Sequence, residues 1–411
     1  MSALQKLVGG LLPDRRITIV WPDGKRELAG GGTGDSAITV RLTDRKLVWE
    51  ILRKPSLGLG EGYMDGRLQF EGGTILDFLR LIARSNPWEG GGQGRRIMLR
   101  GKIGPLLRKL RRNPADKAKR NVAHHYDLDD RLYALFLDTD RQYSCAYFRD
   151  PDHSLEQAQA DKKAHIAAKL HLKPGQRVLD IGCGWGGTAL YLNRIADVDV
   201  LGITLSEEQL AVARRRAAEA GVADRVKFEL IDYRQVTGRF DRIVSVGMFE
   251  HVGAAHYREF FARCREMLTD DGVMLLHTIG KYGEATGPDP FTDKWIFPGY
   301  HVPSLSQIAE ASESARLITA DVETLRLHYA YTLLHWLANC EEHRAEIEAL
   351  YDERFFRMWE YYLAGGIVAF ENGAMNNFQL QYVRDRRALP ITRDYMTQVE
   401  ERYRALASSG S

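Results

Sequence analysis

The first part of the chain alternates apolar and polar residues in two short stretches. RRITIVWP and AITVRLTD have the period-two pattern of strands, and residues 75–83 have the spacing of a helix. Before that helix, GLGEGYMDGRL is rich in glycine and predicts turns. The stretch SNPWEGGGQG at residues 85–94 predicts a linker, so residues 1–90 are predicted to form a small α+β domain.

From residue 174 onward, strand and helix patterns alternate with short connections. Strands are predicted at RVLDIG, DVLGITL, VKFELID, DRIVSVGMF and VMLLHTIG, and helices at TALYLNRIA, EEQLAVARRRAAEAG and YREFFARCREML. The second of these helices is predicted to stop at Gly221. This alternation predicts a parallel sheet with helices on both faces. The last hundred residues predict mostly helix, with one late strand at FQLQYVRD.

Composition adds the broad class. The chain has 411 residues, of which 44% are hydrophobic and 27% charged, as in ordinary globular proteins. No window of about 18 uncharged apolar residues predicts a membrane-spanning helix. The first residues lack the basic start and long apolar run of a secretory signal, so we expect a cytoplasmic protein. The four cysteines are far apart, which predicts neither a disulfide framework nor a metal site.

The net charge of the chain is only +2, but one segment is strongly basic. Residues 95–120 contain eleven Lys or Arg and one acid, Asp116, together with apolar residues at spacings compatible with one helical face. Such a segment suits an anionic membrane surface, where each cation contributes about 1 kcal/mol. A solvated linker that packs its leucines on a neighbouring domain is an equal alternative. Nucleic acid is disfavoured because the run has no interleaved aromatic residues.

A glycine loop carries the first chemical signal. Gly182, Gly184 and Gly187 in DIGCGWGG follow a predicted strand and precede a predicted helix, where backbone N–H groups meet a ligand. Asp180 gives the form D-x-G-x-G, which is usual for S-adenosylmethionine. A dinucleotide site expects an acid about 20 residues further on, but residues 202–206 read GITLS.

The third predicted strand ends in Asp232 and Tyr233, which can bracket an adenine. The structural alternative for Asp232 is a turn or N-cap aspartate.

The chain resembles the cyclopropane-fatty-acyl-phospholipid synthase family. The motifs HHYDLDDRLYALFLD, YSCAYF, SLEQAQADK, VLDIGCGWGG, GITLSEEQ, GMFEHVG, HTIG, FPGY and HYAYTL occur in the family's order and spacing. GLGEGYMDG resembles the extra domain of the phospholipid-acting branch. The resemblance implies a Rossmann-like class I S-adenosylmethionine methyltransferase sheet with helices on both faces, plus the small amino-terminal α+β domain. FPGYHVPS departs from the family pattern at Tyr300, which puts the shape of the acyl entrance in doubt.

The resemblance also implies the site. Residues expected to bind S-adenosylmethionine are Tyr143, Ser144, Asp180, Gly182, Gly184, Thr204, Leu205, Gln209, Asp232 and Tyr233. Residues expected to surround a bound bicarbonate and carry catalysis are Cys145, Glu250, His277, Ile279 and Tyr329.

The chemistry of an alkene substrate fits these residue types. An isolated double bond is a poor nucleophile, so it must be aligned with the sulfonium methyl carbon away from water. Ring closure then needs a small base, and His277 and Tyr329 can donate hydrogen bonds to it while Glu250 orients it or accepts its proton. Each residue has a structural alternative: a core cysteine, a core histidine, core packing for Tyr329 and a helix cap for Glu250. His125 and Asp127 are expected to be structural.

The sequence therefore predicts an enzyme that adds a methylene carbon from S-adenosylmethionine to the cis double bond of phospholipid acyl chains. One alternative keeps the methyl transfer but gives methyl-branched or methylene products. Another is a catalytically silent lipid-binding protein of the same fold. Predicted domains are an accessory lipid-interaction domain at 1–90, a basic amphipathic linker at 91–120 and a catalytic domain at 121–411. The expected partner is the inner face of an anionic bilayer, and the sequence leaves monomer and homodimer open.

Overall fold

A computed structural model describes residues 3–33, 38–90, 128–283 and 287–409. The chain forms two compact units. The amino-terminal unit contains the described residues up to 90 together with residues 288–298 and 333–375. The larger unit contains residues 128–287, 299–332 and 376–409. The basic segment at 95–120, His125 and Asp127 lie outside the described residues, and so do residues 91–94 of the stretch predicted as a linker.

Two predicted strands of the amino-terminal unit are confirmed within a four-stranded sheet. The strands β1 (Arg16–Val20), β2 (Arg26–Gly30), β3 (Thr39–Leu42) and β4 (Leu68–Glu71) lie in the order β2-β1-β3-β4. Strand β1 pairs with β2 antiparallel and with β3 parallel, and β3 pairs with β4 antiparallel. Helices α1 (Ala3–Leu11), α2 (Arg45–Arg53), α3 (Pro55–Met64) and α4 (Ile75–Arg84) complete this part of the unit. Helix α4 was predicted, and a capping box at Thr74 fixes its start.

The turn prediction for the glycine-rich stretch is wrong, because PSLGLGEGYM forms helix α3. Its glycines serve close packing within this unit. A Cβ at Gly60 would lie 2.2 Å from the ring of Phe291, and one at Gly62 would lie 2.5 Å from a methyl of Leu47. Propensity disfavours glycine in a helix by about 1 kcal/mol, but tertiary contact outweighs it here.

The larger unit is built on a seven-stranded sheet. Its strands are β5 (Arg177–Ile181), β6 (Asp199–Thr204), β7 (Val226–Leu230), β8 (Phe240–Val246), β9 (Leu268–Lys281), β10 (Ile318–Thr324) and β11 (Met375–Val383), in the order β10-β11-β9-β8-β5-β6-β7. Strands β5 to β9 pair parallel, as predicted. Strand β10 pairs antiparallel with β11, so the whole sheet is mixed.

The remaining helices follow the chain in this order: α5 (Asp130–Phe136), α6 (Leu155–Leu170), α7 (Gly187–Ala196), α8 (Glu207–Glu219), α9 (Tyr257–Met267), α10 (Pro290–Trp295), α11 (Leu305–Ser314), α12 (His328–Glu342), α13 (Arg344–Leu350), α14 (Glu353–Glu371) and α15 (Asp394–Ser409). Helix α8 ends before Gly221, which has φ +68° as the predicted stop requires. Helices α10, α13 and α14 belong to the amino-terminal unit, and the boundary between the units crosses α12.

The large sheet is buried on both faces. Leu179 and Ile243 point into a core completed by α9 and α11, while Val178 and Val244 point into a second core completed by α6, α7, α8 and α15. Two-sided burial explains why these strands read as continuous apolar runs. The strand order reverses between β5 and β8, and open α/β sheets bind ligands at the carboxyl ends of the strands beside such a reversal.

Of the described residues, no helix combines the length and the apolar character needed to cross a membrane.

Candidate active site

A cleft opens at the carboxyl ends of β5, β6 and β8, beside the reversal of strand order. All ten residues predicted to bind S-adenosylmethionine line it. They are Tyr143, Ser144, Asp180, Gly182, Gly184, Thr204, Leu205, Gln209, Asp232 and Tyr233. Sequence positions spread over ninety residues therefore meet in one concave site.

The glycine loop forms the floor of this cleft. Gly182 and Gly184 have φ values of +86° and +52°, a region that favours glycine. At Gly184 an added Cβ would meet no described atom within 4 Å, so the backbone here faces open space. The N–H groups of Gly182 and Cys183 donate to the carbonyl of Ile203 at 2.9 and 3.0 Å, which ties the loop to β6. A ligand can therefore approach the backbone closely.

Asp180 is the last residue but one of β5, just before the glycine loop, and is 1% exposed. Burial raises the pKa of this carboxyl to about 7, and the ammonium of Lys162 partly opposes that rise. Its Oδ2 has no hydrogen-bond partner among the described residues. A buried acceptor without a partner fits a ligand that brings a donor or a positive charge, as the methionine end of S-adenosylmethionine does.

The turn after β6 carries hydroxyl and amide groups where a dinucleotide site would carry an acid. The Thr204 hydroxyl donates to Gln209 Oε1 at 3.0 Å and accepts from Ser206 N–H at 3.1 Å. The first acid of this region, Glu207, is exposed at the start of α8. The neutral turn is consistent with the choice of S-adenosylmethionine over a dinucleotide.

Asp232 lies in the cleft and also has the capping role weighed as its alternative. Its Oδ1 accepts from the Arg234 N–H at 2.9 Å at the start of a 3-10 helix, Tyr233–Gln235. The Arg234 guanidinium bonds both carboxylate oxygens, at 2.8 and 2.6 Å. Burial alone would raise the pKa of Asp232, but these hydrogen bonds outweigh burial and hold the pKa below its usual value. The carboxylate therefore stays ionised.

Helix α6 holds the loop that carries Tyr143 and Ser144. Gln159 Nε2 donates to the carbonyls of Gln142 and Ser144 at 3.1 and 3.0 Å. Lys162 Nζ donates to Gln142 Oε1 at 2.8 Å and to Ser144 Oγ at 2.9 Å. Sequence reasoning assigned no role to these α6 residues. Their signal was two polar residues in SLEQAQADK, one turn apart, on a helix that is buried along most of its length.

Glu250 is the best-defined of the residues predicted for catalysis. It lies in a 3-10 helix, Phe249–His251, and is 6% exposed. Its Oε1 accepts from the Ile279 N–H at 2.5 Å, so that N–H is already used within the protein. Its Oε2 is buried with no partner among the described residues, and burial raises the pKa of Glu250 to about 7. Glu250 caps no helix, and its carboxyl can hold or release a proton near neutral pH.

His277 lies in β9 level with the end of β8 and is 1% exposed. Its Nε2 lies 2.7 Å from the amide nitrogen of Asn377, and its Nδ1 lies 3.1 Å from that of Gln379. Burial, together with the nearby lysines Lys162 and Lys169, holds the pKa of His277 well below its usual value, so the ring is neutral. A neutral ring has one acceptor nitrogen, so it accepts from one of these amides while its N–H faces the other. Both ring nitrogens therefore lie against β11, where we had expected the ring to donate to an anion.

The loop that carries Cys145 is bonded through Thr332 to the helix that carries Tyr329. The Ala146 N–H donates to the Thr332 hydroxyl at 3.0 Å, and Tyr329 lies three residues before Thr332 on α12. Residues at this spacing share one helix face. Cys145 is 1% exposed, and burial raises the pKa of its thiol far above the usual value, so it stays protonated.

The five predicted catalytic residues thus form two groups, Glu250 with Ile279 and His277, and Cys145 with Tyr329. Lys162 interacts electrostatically with both groups, through His277 and through Cys145. The roles of the five residues stay predictions.

The mixed sheet, the glycine loop after β5 and the cleft beside the strand reversal define a class I S-adenosylmethionine-dependent methyltransferase. The model of the mycolic acid cyclopropane synthetase family matches residues 113–380, and a model described as a domain of unknown function (DUF7884) matches residues 6–86.

Two relatives and one solved structure show how far the similarity extends. A probable fatty acid methyltransferase of Pseudomonas putida is 37% identical, covering 87% of this chain and 91% of the relative. Cyclopropane-fatty-acyl-phospholipid synthase of Escherichia coli K12 is 38% identical, covering 85% and 89%. The crystal structure of mycolic acid cyclopropane synthase CmaA1 complexed with SAH and CTAB has a TM-score of 0.61 and 34% identity, covering 64% of this chain and 97% of that one.

The chain belongs to the cyclopropane synthase family, as its motifs predicted. It is an S-adenosylmethionine-dependent methyltransferase.

Proposed function

We propose that this enzyme converts the cis double bonds of unsaturated phospholipid acyl chains into cyclopropane rings. The observation that carries the proposal is Glu250, a buried carboxyl with one unpartnered oxygen, in a chain whose fold binds a methyl donor. The name of the Escherichia coli relative supports the phospholipid substrate, because the similarity covers most of both chains.

The reaction needs two bonds to form at the double bond. The alkene π electrons attack the methyl carbon of S-adenosylmethionine, so a carbon–carbon bond forms while the carbon–sulfur bond breaks. The resulting carbocation loses a proton from the new methyl group, and that electron pair closes the ring. The protein must align the alkene, exclude water and accept the proton. Glu250 is suited to the last task, since burial brings the pKa of its carboxyl to about 7.

A bicarbonate bound between the two groups of predicted catalytic residues would supply the small base that takes this proton. The protein's own residues fit such an anion. The unpartnered Oε2 of Glu250 can take up the proton that the anion receives, whereas the one proton of the Cys145 thiol is already donated to the Ala146 carbonyl at 3.3 Å. The Lys162 ammonium adds a buried positive charge near Cys145 and His277. In this proposal His277 acts as a positioning residue, because its ring is held by Asn377 and Gln379.

Mass spectrometry of lipids incubated with the enzyme and S-adenosylmethionine tests the proposal. We expect phospholipids that gain one CH₂ and lose their unsaturation, with ring protons in the proton NMR spectrum. The Glu250→Gln variant should bind S-adenosylhomocysteine normally yet form product at least about a hundredfold more slowly. Glu229→Gln, on the exposed side of β7, is the matched control. Product that keeps its double bond would contradict the proposal.

Methyl-branched or methylene products are the second candidate, and the name of the Pseudomonas putida relative favours it. The carbocation would then lose a proton elsewhere, either directly or after a hydride shift along the acyl chain. The same experiment separates the two outcomes, since only ring closure removes unsaturation without adding hydrogen. A protein that binds S-adenosylhomocysteine and lipid but forms neither product would instead fit the silent lipid-binding alternative.

The proposed location is the inner face of the cell membrane, with the enzyme cytoplasmic and bound peripherally to anionic lipid. The basic run at 95–120 supports this through its charge. Neutralising five of its Lys and Arg residues should abolish the preference of the full chain for vesicles that contain phosphatidylglycerol over vesicles of phosphatidylcholine. Equal binding of both proteins to both vesicles would contradict the proposal.

A further inference from the structure

Helix α2 of the amino-terminal unit turns a tryptophan toward solvent. Trp49 is 72% exposed, and it is the only exposed one of the seven tryptophans, all of which lie in described residues. On the opposite side of the helix, Leu47 and Ile51 are 0% and 4% exposed. The helix is therefore firmly packed, and the exposed indole is a fixed feature of its outer face. Exposing a ring of this size to water is unfavourable unless something covers it.

Cations surround this ring on the same face. Arg45 and Arg53 lie four residues before and after Trp49, which places the three side chains in one stripe, and Lys46 lies beside it. The Arg45 and Lys46 side chains are 83% and 81% exposed. We define the outer face of α2 as Arg45, Lys46, Trp49 and Arg53.

The acids near the outer face of α2 do not cancel its charge. Asp44 and Glu50 are both bonded by the Arg67 guanidinium, at 2.8 Å each, and Glu50 Oε1 also lies 3.6 Å from the Lys46 ammonium. Asp23 lies 3.8 Å from Arg45, at the outer limit of an exposed ion pair. An indole among lysines and arginines matches the chemistry of the membrane interface, where the ring sits at headgroup level and the cations meet lipid phosphates.

The size of the outer face of α2 argues against a protein partner. Nine helical residues span about 14 Å, so the face covers on the order of 150 Å². A stable protein interface needs roughly 800 Å² on each partner. We propose that the outer face of α2 is a membrane-contact surface of the amino-terminal unit, with Trp49 inserted at headgroup level of an anionic phospholipid bilayer. This inference rests on the proposed lipid substrate.

The test uses the full chain and vesicles of phosphatidylcholine with or without phosphatidylglycerol. We expect Trp49→Ser and the double variant Arg45→Ser/Arg53→Ser to sediment less with anionic vesicles, the double variant by roughly 25-fold, since each cation is worth about fivefold. The matched control is Arg386→Ser/Arg387→Ser, which removes the same charge from exposed positions of the larger unit.

A second readout isolates the ring. Phospholipids brominated near the headgroup should quench the tryptophan fluorescence of the parent protein, and the variant Trp49→Phe should lose this quenching. Unchanged sedimentation of both α2 variants, equal loss in the control, or quenching that persists without Trp49 would overturn the inference. A lipid-free shift from dimer to monomer in Trp49→Ser would assign the face to a second copy instead.

These outcomes are separate from the fate of the proposed function. If the parent protein binds anionic vesicles through Trp49 but makes no ring product, the proposed function fails and the surface stands. If the α2 variants lose vesicle binding yet cyclopropanate lipid in detergent micelles, both stand.

Lys162 carries an independent inference about how the methyl donor is selected. A hydroxyl has one proton and two lone pairs. Because Ser144 Oγ accepts from the Lys162 ammonium at 2.9 Å, its own proton points elsewhere, and Ser144 lines the cleft. Lys162 is 0% exposed, and burial lowers its pKa only to about 8, so it is charged at neutral pH. Ser144 is thus a donor backed by a buried positive charge.

Such a donor fits an anionic ligand group, and the carboxylate is the only anionic group of S-adenosylmethionine. The partnerless Asp180 Oδ2 in the same cleft suits the neighbouring ammonium of the ligand. The geometry points to Lys162 as a positioning residue that selects the methionine carboxylate of the donor through the Ser144 hydroxyl.

Calorimetry with S-adenosylhomocysteine and its decarboxylated analogue tests this assignment. In Lys162→Met and in Ser144→Ala, the Kd for S-adenosylhomocysteine should rise by roughly 10- to 100-fold, while the Kd of the analogue changes by less than about twofold. The exposed Lys173→Met variant is the control. Equal weakening of both ligands, or of neither, would overturn the role. Ser144→Ala carries the test if Lys162→Met does not fold.

Discussion

Replacing Glu250 by glutamine should make the protein more stable at alkaline pH while removing its activity. The glutamine keeps an oxygen for the Ile279 N–H, which Glu250 Oε1 now accepts at 2.5 Å, but it cannot ionise. In the parent protein, burial raises the pKa of Glu250 from 4.5 to about 7. Each pH unit between these two values is worth about 1.4 kcal/mol.

The sign follows from proton binding. Between pH 4.5 and about 7, the unfolded chain has lost the Glu250 proton while the folded protein keeps it, so stability falls as pH rises. Below this window both states are neutral, and above it both are charged. The charged carboxylate therefore costs the folded parent protein about 3 kcal/mol, which the glutamine variant avoids.

Urea unfolding of the parent protein and Glu250→Gln in bicarbonate-free buffer measures this difference. From pH 5 to pH 8 the free energy of unfolding of the variant should gain about 2 to 3 kcal/mol relative to the parent. Glu229→Gln, at an exposed position, should show no such gain. Stability curves of parent and Glu250→Gln that stay parallel over this range would refute both the burial argument and the proton-holding role built on it.

Other predictions concern the cleft predicted to bind S-adenosylmethionine and the large sheet. Asp232→Asn loses its ionic hydrogen bonds with Arg234 and should weaken S-adenosylhomocysteine binding by roughly tenfold in calorimetry; unchanged affinity would remove Asp232 from the donor site. Gly202→Ala places a Cβ 2.6 Å from the Phe228 ring and should lower the free energy of unfolding by about 2 kcal/mol or more in urea, whereas a neutral effect would show that the ring can move. Gly184→Ala has space for its Cβ, so it should cost only about 1 kcal/mol of stability from its positive φ while impairing donor binding, and the reverse pattern would contradict the open floor of the cleft.

Much of the larger unit could be predicted because its signals are local. Strands β5 to β9 are short apolar runs, and α8 stops at a glycine with positive φ. The amino-terminal unit was harder. Helix α3 was predicted as turns, because its glycines are explained by the Leu47 and Phe291 side chains they contact and not by their sequence neighbours.

The same distinction applies to the site. The motifs predicted ten residues that bind the methyl donor, and all ten line one cleft, since most of them lie at or just after the carboxyl ends of strands. The residues missed are those that act through distant partners. Lys162 supports the loop residue Ser144 from helix α6, and Asn377 and Gln379 contact His277 from a strand about a hundred residues later. A local pattern can mark a polar residue on a buried helix, as it does for Lys162, but it does not specify the partner of that residue.

The amino-terminal unit is discontinuous in sequence, and this has a consequence for biosynthesis. Tyr63 and Arg80 take their partners Glu360 and Glu371 from α14, so this unit lacks part of its own core until residue 375 has been translated. Translation proceeds at about 5 to 20 residues per second, so roughly 15 to 60 s pass between synthesis of the first helices and synthesis of their partners in α14. During that interval the core of the amino-terminal unit is incomplete, because the apolar residues that pack against α2 and α3 lack the contribution of α14. Chaperones that bind nascent chains on the ribosome should therefore increase the yield of this protein. Their effect should be larger than on the yield of a domain of similar size that is continuous in sequence.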